Sequence, residues 1–269
     1  MSTAQAAAPR SGVALDVAGL AIHFGGLVAI DGLSFQVRAG EVLSLIGPNG
    51  AGKTTAFNAI TGYLSPTAGR ILYEGTPLNG LRPNQIAALG IVRTFQKTSV
   101  FGGCSVLDNV LIGLHLRSTQ RPLAIIFGLP SVGREDRMLE AEARKILEFV
   151  GLGARAHELG SALPYGEQRL LEIAIALAAR PRLLLLDEPV SGMNPVETAS
   201  FMIKLAEIRA TGVTVLVVEH DMRMVMGVSD RVICLNQGRV IADGTPEAIQ
   251  RDPAVIRAYL GERYARAQR

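Results

Sequence analysis

Gly47-Pro48-Asn49-Gly50-Ala51-Gly52-Lys53-Thr54 decides how this chain is read. The segment satisfies GxxxxGK followed by Ser or Thr at every fixed position. It lies between an apolar run, 41–47, that reads as a strand, and residues 53–61, closed by Gly62, that read as a helix. Glycines let successive backbone N–H groups curl around a phosphate, and the helix behind them adds its positive end. Lys53 can then reach the terminal phosphates, and the Thr54 hydroxyl can ligand Mg²⁺. An ordinary glycine-rich turn has no reason to combine that spacing with a strand before it and a helix after it.

Working outward, 13–24 and 33–37 are short aliphatic and β-branched runs bounded by glycine, hence strands, and 70–73 and 91–95 read as further ones. Apolar residues then recur at three-to-four spacing over 106–116 and 138–150, so the middle third is helical. Between them, 115–134 is broken by Pro and Gly and reads as an inserted loop or short helix. The last third alternates: helix 166–179, strand 183–186, helix 195–210, strand 213–218, helix 222–227, strand 232–235. Continuous apolar strands separated by helices indicate a buried parallel sheet. The expected fold class is therefore α/β, with a mainly parallel sheet core, an antiparallel β part near the N-terminus and a helical subdomain. Residues 12–95 and 181–269 form the expected core, about 97–180 the helical subdomain, and 1–11 an Ala-rich flexible tail rather than a signal peptide.

Composition narrows the function classes. The 269 residues carry 27 Lys+Arg against 24 Asp+Glu, a net +3, with 48% hydrophobic and 19% charged residues, which is an ordered globular chain. So small a basic excess does not point to nucleic acid. Cys104 and Cys234 form no CxxC pair, so neither a disulfide framework nor a zinc site is expected, and a reducing compartment is. The longest weakly polar stretch, 122–133, is broken by Gly128 and Pro130 and falls short of the ~18 apolar residues of a membrane span. Any membrane role then runs through a partner.

A second site signal is Leu183-Leu184-Leu185-Leu186-Asp187-Glu188, an apolar strand that ends in two carboxylates. A strand buried on both faces has no use for paired acids unless its end opens on a site. Asp187 can hold Mg²⁺ through its water shell, and Glu188 can orient or deprotonate an attacking water.

Leu163-Pro164-Tyr165-Gly166-Glu167-Gln168-Arg169 completes the pattern. The order phosphate loop, Gln96, LPYGEQR, LLLLDEP and His220 resembles the ATP-binding subunit of an ATP-binding-cassette transporter, over nearly the whole chain after the tail. The resemblance implies a P-loop NTPase fold of that type. It also implies nucleotide contacts from Phe24, Gly47, Asn49, Gly50, Gly52, Lys53, Thr54 and Thr55, with Phe24 stacking on adenine, and from Tyr165, Gly166 and Glu167 of the signature segment. Gln96, in Arg93-Thr94-Phe95-Gln96, becomes the loop glutamine that senses the γ-phosphate and joins Thr54 and Asp187 at Mg²⁺, and His220 becomes the switch histidine beside Glu188. His23, His115 and His157 are assigned no role. Tyrosine inside the signature, Arg93-Thr94-Phe95-Gln96, Ser191-Gly192-Met193-Asn194-Pro195, Glu219-His220-Asp221-Met222 and the tail Ala258-Tyr259-Leu260-Gly261-Glu262 are similar to the branched-chain amino acid uptake subgroup. Two departures stand out. The common LSGGQ reads LPYGE, so the serine that meets the partner's γ-phosphate is replaced by Pro164, with neither hydroxyl nor N–H, and weakened closure is expected. Asn194 replaces the usual aspartate of the next loop.

The same resemblance implies an ATPase that uses ATP and Mg²⁺ and powers an importer for branched-chain or related hydrophobic amino acids. It would work as a dimer with an identical or sister ATPase, on membrane permease subunits and an extracytoplasmic substrate-binding protein, peripheral to the cytoplasmic face of a bacterial-type inner membrane, without nucleic acid. A lipopolysaccharide-type exporter ATPase is the near alternative. A cassette ATPase of DNA repair would need long heptad runs, and a translation factor two phosphate loops; the chain has neither.

Overall fold

The computed structural model describes residues 12–94, 100–115 and 130–259. They group into two compact units: one holds the residues up to Arg93 together with Arg182–Ser191 and those from Met202 onward, and the other holds Thr94–Pro181 with Gly192–Phe201.

The first unit contains two sheets. Strands β1 (Val13–Phe24), β2 (Leu27–Arg38), β4 (Ala68–Tyr73) and β5 (Thr76–Pro77) form an antiparallel sheet in the order β2-β1-β4-β5. Strands β3 (Val42–Ile46), β6 (Ile91–Arg93), β7 (Leu183–Asp187), β8 (Thr214–Val218), β9 (Arg231–Asn236) and β10 (Arg239–Gly244) form the other, in the order β10-β9-β3-β8-β7-β6. All of its pairings are parallel except β9 with β10. Every residue of β3, β7 and β8 is buried, which is why these strands read as mainly apolar runs instead of alternating ones; the buried Ser44 hydroxyl within β3 is satisfied by that of Ser229 at 2.6 Å.

Alternation nevertheless sorts the two faces. Leu43, Leu45, Leu183, Leu185, Leu216 and Ile233 share a core with the antiparallel sheet and with Phe57 and Ile60 of helix α1 (Lys53–Ile60). Ile46, Val232 and Cys234 point the other way and pack with Val225 of α7 (Met222–Val228), Ile249 of α8 (Pro246–Arg251) and Val255 of the helical stretch 253–259. Helix α2 (Pro83–Ala88) of this unit starts on a proline and buries Ile86.

In the second unit α3 (Val106–His115), α4 (Pro130–Val150) and α5 (Tyr165–Ala178) pack on one another. Gly113 permits the approach of α3 to α5, since a Cβ there would sit 2.8 Å from the Ile175 carbonyl. Helix α6 (Pro195–Ala210) begins here and continues into the first unit. The helical expectation over 138–150 was too short: the helix starts at Pro130, so 130–134 is its first turn rather than part of a separate inserted loop or short helix. Residues 116–129 of that stretch lie outside the described residues, as do the 1–11 tail, Phe95, Gln96 and Leu260-Gly261-Glu262.

Candidate functional site

Parallel pairing gathers the signals of the first unit on one edge. Asp187 pairs with Val218, Val218 with Leu45, and Leu45 with Ile233, so the C-terminal ends of β7, β8 and β3 lie in one row that continues into the middle of β9. At about 4.8 Å per strand this brings the acidic pair within about 10 Å of the strand that feeds the phosphate loop. Parallel strands end on the same side, where α/β sheets bind ligands.

The loop itself is wedged into the protein. Gly47 has φ 145°, and a Cβ there would lie 2.1 Å from the Leu235 carbonyl; Gly52, at φ 100°, would meet the Ala29 carbonyl at 2.8 Å. Gly50 is left-handed with open space around it, and Asn49, Gly50 and Thr54 are exposed. Helix α1 starts at Gly52 with no side-chain cap and no acidic residue in its first turn, so its amide donors and positive end are left for an anion. Lys53 is buried and donates to the carbonyls of Gly47 at 2.6 Å and Pro48 at 3.0 Å, folded back along the loop. Thr55, behind it, is half-buried.

On the neighbouring strand ends, Asp187 is 3% exposed and paired with Arg93 at 2.7 Å; the same guanidinium donates to Asn58 of α1. Glu188 takes φ 48°, a left-handed turn that costs a non-glycine residue about 1–2 kcal/mol, while its N–H still donates to the Val218 carbonyl at 2.8 Å. Its carboxylate comes within 4.0 Å of His220 Nδ1, so two of the three catalytic candidates meet, and Gln96 lies outside the described residues. The residue that sequence reasoning missed is Glu219. It is fully buried and accepts three backbone N–H groups, from Val190 at 3.1 Å, His220 at 2.8 Å and Asp221 at 3.1 Å. One carboxylate thus ties the loop after Glu188 to the loop carrying His220. The signal was available, as a lone acid ending the apolar run 214–218.

Phe24, at the tip of the β1–β2 hairpin, is 47% exposed beside exposed Leu27 and Val28, an apolar surface suited to a flat ring. Triphosphate and Mg²⁺ fit this edge: an uncapped helix start, a buried cation, a hydroxyl at Thr54 and a carboxylate at Asp187 are the donor and acceptor set such a ligand needs.

The signature segment belongs to the second unit. Pro164 is the N-cap of α5 and gives it no side-chain bond; Gln168 closes the turn by donating its N–H to the Pro164 carbonyl at 3.0 Å. The Tyr165 hydroxyl accepts from Arg169 Nη2 at 2.8 Å, and its ring covers Gly192, whose added Cβ would lie 3.1 Å from it. A Cβ at Gly166 would fall 2.8 Å from the Glu197 carboxyl group. Glu197 accepts the Asn194 N–H at 2.9 Å while Asn194 caps Val196 and Glu197, a reciprocal cap that explains how asparagine serves there. Glu167 pairs with Arg155 at 2.9 Å.

Among the described residues no helix is long and apolar enough to cross a membrane. The ABC transporter family model matches residues 30–191, and a model of the branched-chain amino acid ATP-binding cassette transporter matches 239–265. The chain is 45% identical over 249 residues to the high-affinity branched-chain amino acid transport ATP-binding protein BraF of Pseudomonas aeruginosa, covering 92% of this chain and 98% of that one. It is equally similar to LivG of Escherichia coli, a protein of the same description. A crystal structure of an ATP-binding cassette of an ABC transporter in its ADP conformation superposes with TM-score 0.82 at 33% identity, covering 93% of this chain and 100% of that one. A nucleotide-free cassette gives 0.81 at 32% identity, covering 92% and 99%. Sequence, fold and site agree that the chain belongs to the ABC transporter family as its nucleotide-binding ATPase, an α/β cassette coupled to transport.

Proposed function

We propose that this ATPase powers an importer of branched-chain or related hydrophobic amino acids. The observation that carries the ATPase chemistry is the approach of Glu188 and His220 at 4.0 Å, one and two residues past the paired Asp187 and Val218 in the row that joins the acidic strand to the phosphate-loop strand. The names of BraF and LivG support the cargo.

In this reading the adenine stacks on Phe24. The amides of Asn49 to Thr55 and the start of α1 hold the phosphates, and Lys53 turns from the loop carbonyls to the β- and γ-phosphates. Mg²⁺, held by Thr54, Gln96 and Asp187, neutralises phosphate charge when bound. Glu188 orients the attacking water and accepts its proton, and His220 contacts the γ-phosphate. The segment Pro164 to Glu167 of a second ATPase, identical or sister, closes over the nucleotide with the amides of its helix start, since a proline has no donor of its own. The ATPase sits at the cytoplasmic face of the membrane on permease subunits, which receive their cargo from an extracytoplasmic binding protein on the opposite side, and no nucleic acid is involved.

The test is twofold. Lys53→Ala should abolish binding of a fluorescent ATP analogue at micromolar concentration with the fold retained, and vesicles holding the assembled complex should take up labelled leucine only with ATP. Unchanged affinity of the variant removes the site assignment, and ATP-driven efflux of a lipid instead of leucine uptake removes the importer.

A further inference from the structure

The tail marked by Ala258-Tyr259 has no part in the chemistry above, yet it reaches the phosphate loop. Asp252 starts the helical stretch 253–259 by accepting the Ala254 N–H at 2.7 Å and the Val255 N–H at 3.3 Å. Val255 and Tyr259 are one turn apart and so share a face, and both pack into the cluster formed by Ile46, Val225, Val232, Cys234 and Ile249. From that apolar seat the Tyr259 hydroxyl accepts the Gly47 N–H at 3.0 Å, across 212 positions of sequence.

That amide is a critical one. Ile46 is the last residue of β3 paired to β9, so Gly47 N–H is the first donor past the ladder, and Gly47 is buried. A buried amide without an acceptor is strongly disfavoured. Gly47 is also where the loop direction is set: a Cβ there would strike the Leu235 carbonyl, and its own carbonyl accepts from Lys53. When Lys53 leaves for a phosphate, that bond is given up, and the Tyr259 bond still holds the Gly47 amide, beside the Ala51 N–H on the Pro48 carbonyl and the Gly238 N–H on the Ala51 carbonyl.

We propose that Tyr259 is a positioning residue for the ATP site, its hydroxyl holding Gly47 so that the phosphate loop is already in the nucleotide-competent conformation, and that the C-terminal helix thereby sets nucleotide affinity. The proposal rests on the phosphate-loop reading of residues 47–54. Without the hydroxyl the loop divides its population among several conformations, and apparent affinity falls in proportion to the competent fraction.

Tyr259→Phe in the full chain removes one oxygen and keeps the ring. It should weaken binding of a fluorescent ATP analogue about 5- to 10-fold and raise the KM for ATP equally, with kcat at saturation within about twofold. A hydroxyl that merely stabilised the fold would lower the melting temperature without this split. Lys53→Ala, run beside it, separates the two readings. Wild-type affinity in Tyr259→Phe with binding lost in Lys53→Ala overturns the role of Tyr259 alone, whereas normal binding by Lys53→Ala removes the site and the proposal with it. Should the phenylalanine variant fail to fold, amide exchange in the wild-type chain decides: the Gly47 N–H should exchange at least about 100-fold more slowly than that of exposed Gly50. Equal rates overturn the proposal.

Discussion

Replacing Glu219 by glutamine tests whether a single buried carboxylate holds the catalytic loops together. Its two oxygens accept three backbone N–H groups, at 3.1, 2.8 and 3.1 Å, with the side chain fully buried. Glutamine keeps one acceptor oxygen and puts an NH₂ donor where the other was. The better orientation keeps the oxygen on His220 and Asp221 and leaves the Val190 N–H facing a donor. An orphaned buried donor costs about 1–3 kcal/mol, and each of the two remaining bonds loses about 1 kcal/mol as it passes from charge-assisted to neutral. Part is returned because an amide is cheaper to bury than a carboxylate. The net expectation is a loss of about 2–4 kcal/mol, or roughly 5–15 °C in Tm for a chain of this size. The phosphate loop is untouched, so ATP affinity should stay within about threefold. The kcat should fall about 10- to 100-fold, because Glu188 and His220 lose their mutual placement. Thermal melts, equilibrium binding of a fluorescent ATP analogue and steady-state phosphate release supply the three readouts. A variant destabilised by less than about 0.5 kcal/mol with normal kcat would show that Glu219 does not fix these loops.

Glu188→Gln should retain ATP binding, lower phosphate release about 10²–10⁴-fold and trap an ATP-bound dimer seen by sedimentation; near-normal release removes Glu188 as the base. In that background, Pro164→Ser adds a hydroxyl donor at the N-cap of α5 and should strengthen ATP-dependent dimerisation, by at most the roughly 1.5–3 kcal/mol of a charge-assisted bond, without changing monomer affinity. No gain in the dimer means that this position does not face nucleotide. Burial pushes the Cys234 thiol up to about 12, so at pH 8 it stays in the unreactive thiol form while folded. Disulfide-exchange reagents should label the half-buried Cys104 in the native chain and both cysteines in urea, and two fast-reacting native thiols would contradict the burial of β9.

Sequence reading succeeded where a local pattern carries its own reason. The runs that became β3, β7 and β8 are buried on both faces and so are mainly apolar rather than alternating, and Pro195 opens α6 where expected. It failed where short elements depend on neighbours. Edge strand β10 is half-buried, with no alternation to read, and exists because β9 pairs with it. Helices α2 and α8 have six residues each, too few for periodicity, but both begin with a proline, and Thr245 caps the second by accepting the Ala248 N–H. Pro83 and Thr245-Pro246 were signals that could have found them. The sequence bounds this strand at 33–37 by the preceding glycine; instead Gly32 is left-handed within strand β2, which runs from Leu27. Arg93 on Asp187, Glu219 across two loops and Tyr259 on Gly47 join residues 94, 29 and 212 positions apart, and nothing local announces them.

The three glycines of the phosphate loop show why such a motif is read more easily than it is explained. A common spacing suggests a common reason, namely close approach of phosphate to backbone. At Gly47 and Gly52, however, the space for a side chain is already taken by the protein's own carbonyls, those of Leu235 and Ala29, at 2.1 and 2.8 Å. Both positions also have positive φ, so alanine there would meet strain and collision with or without nucleotide. Only Gly50 has open space around it, and its φ of 78° leaves conformation and ligand approach as its reasons. The loop is therefore clamped at Gly47 and Gly52 by packing and has open space at exposed Gly50, where a ligand can approach. That arrangement makes affinity sensitive to distant residues that hold the ends, Tyr259 among them.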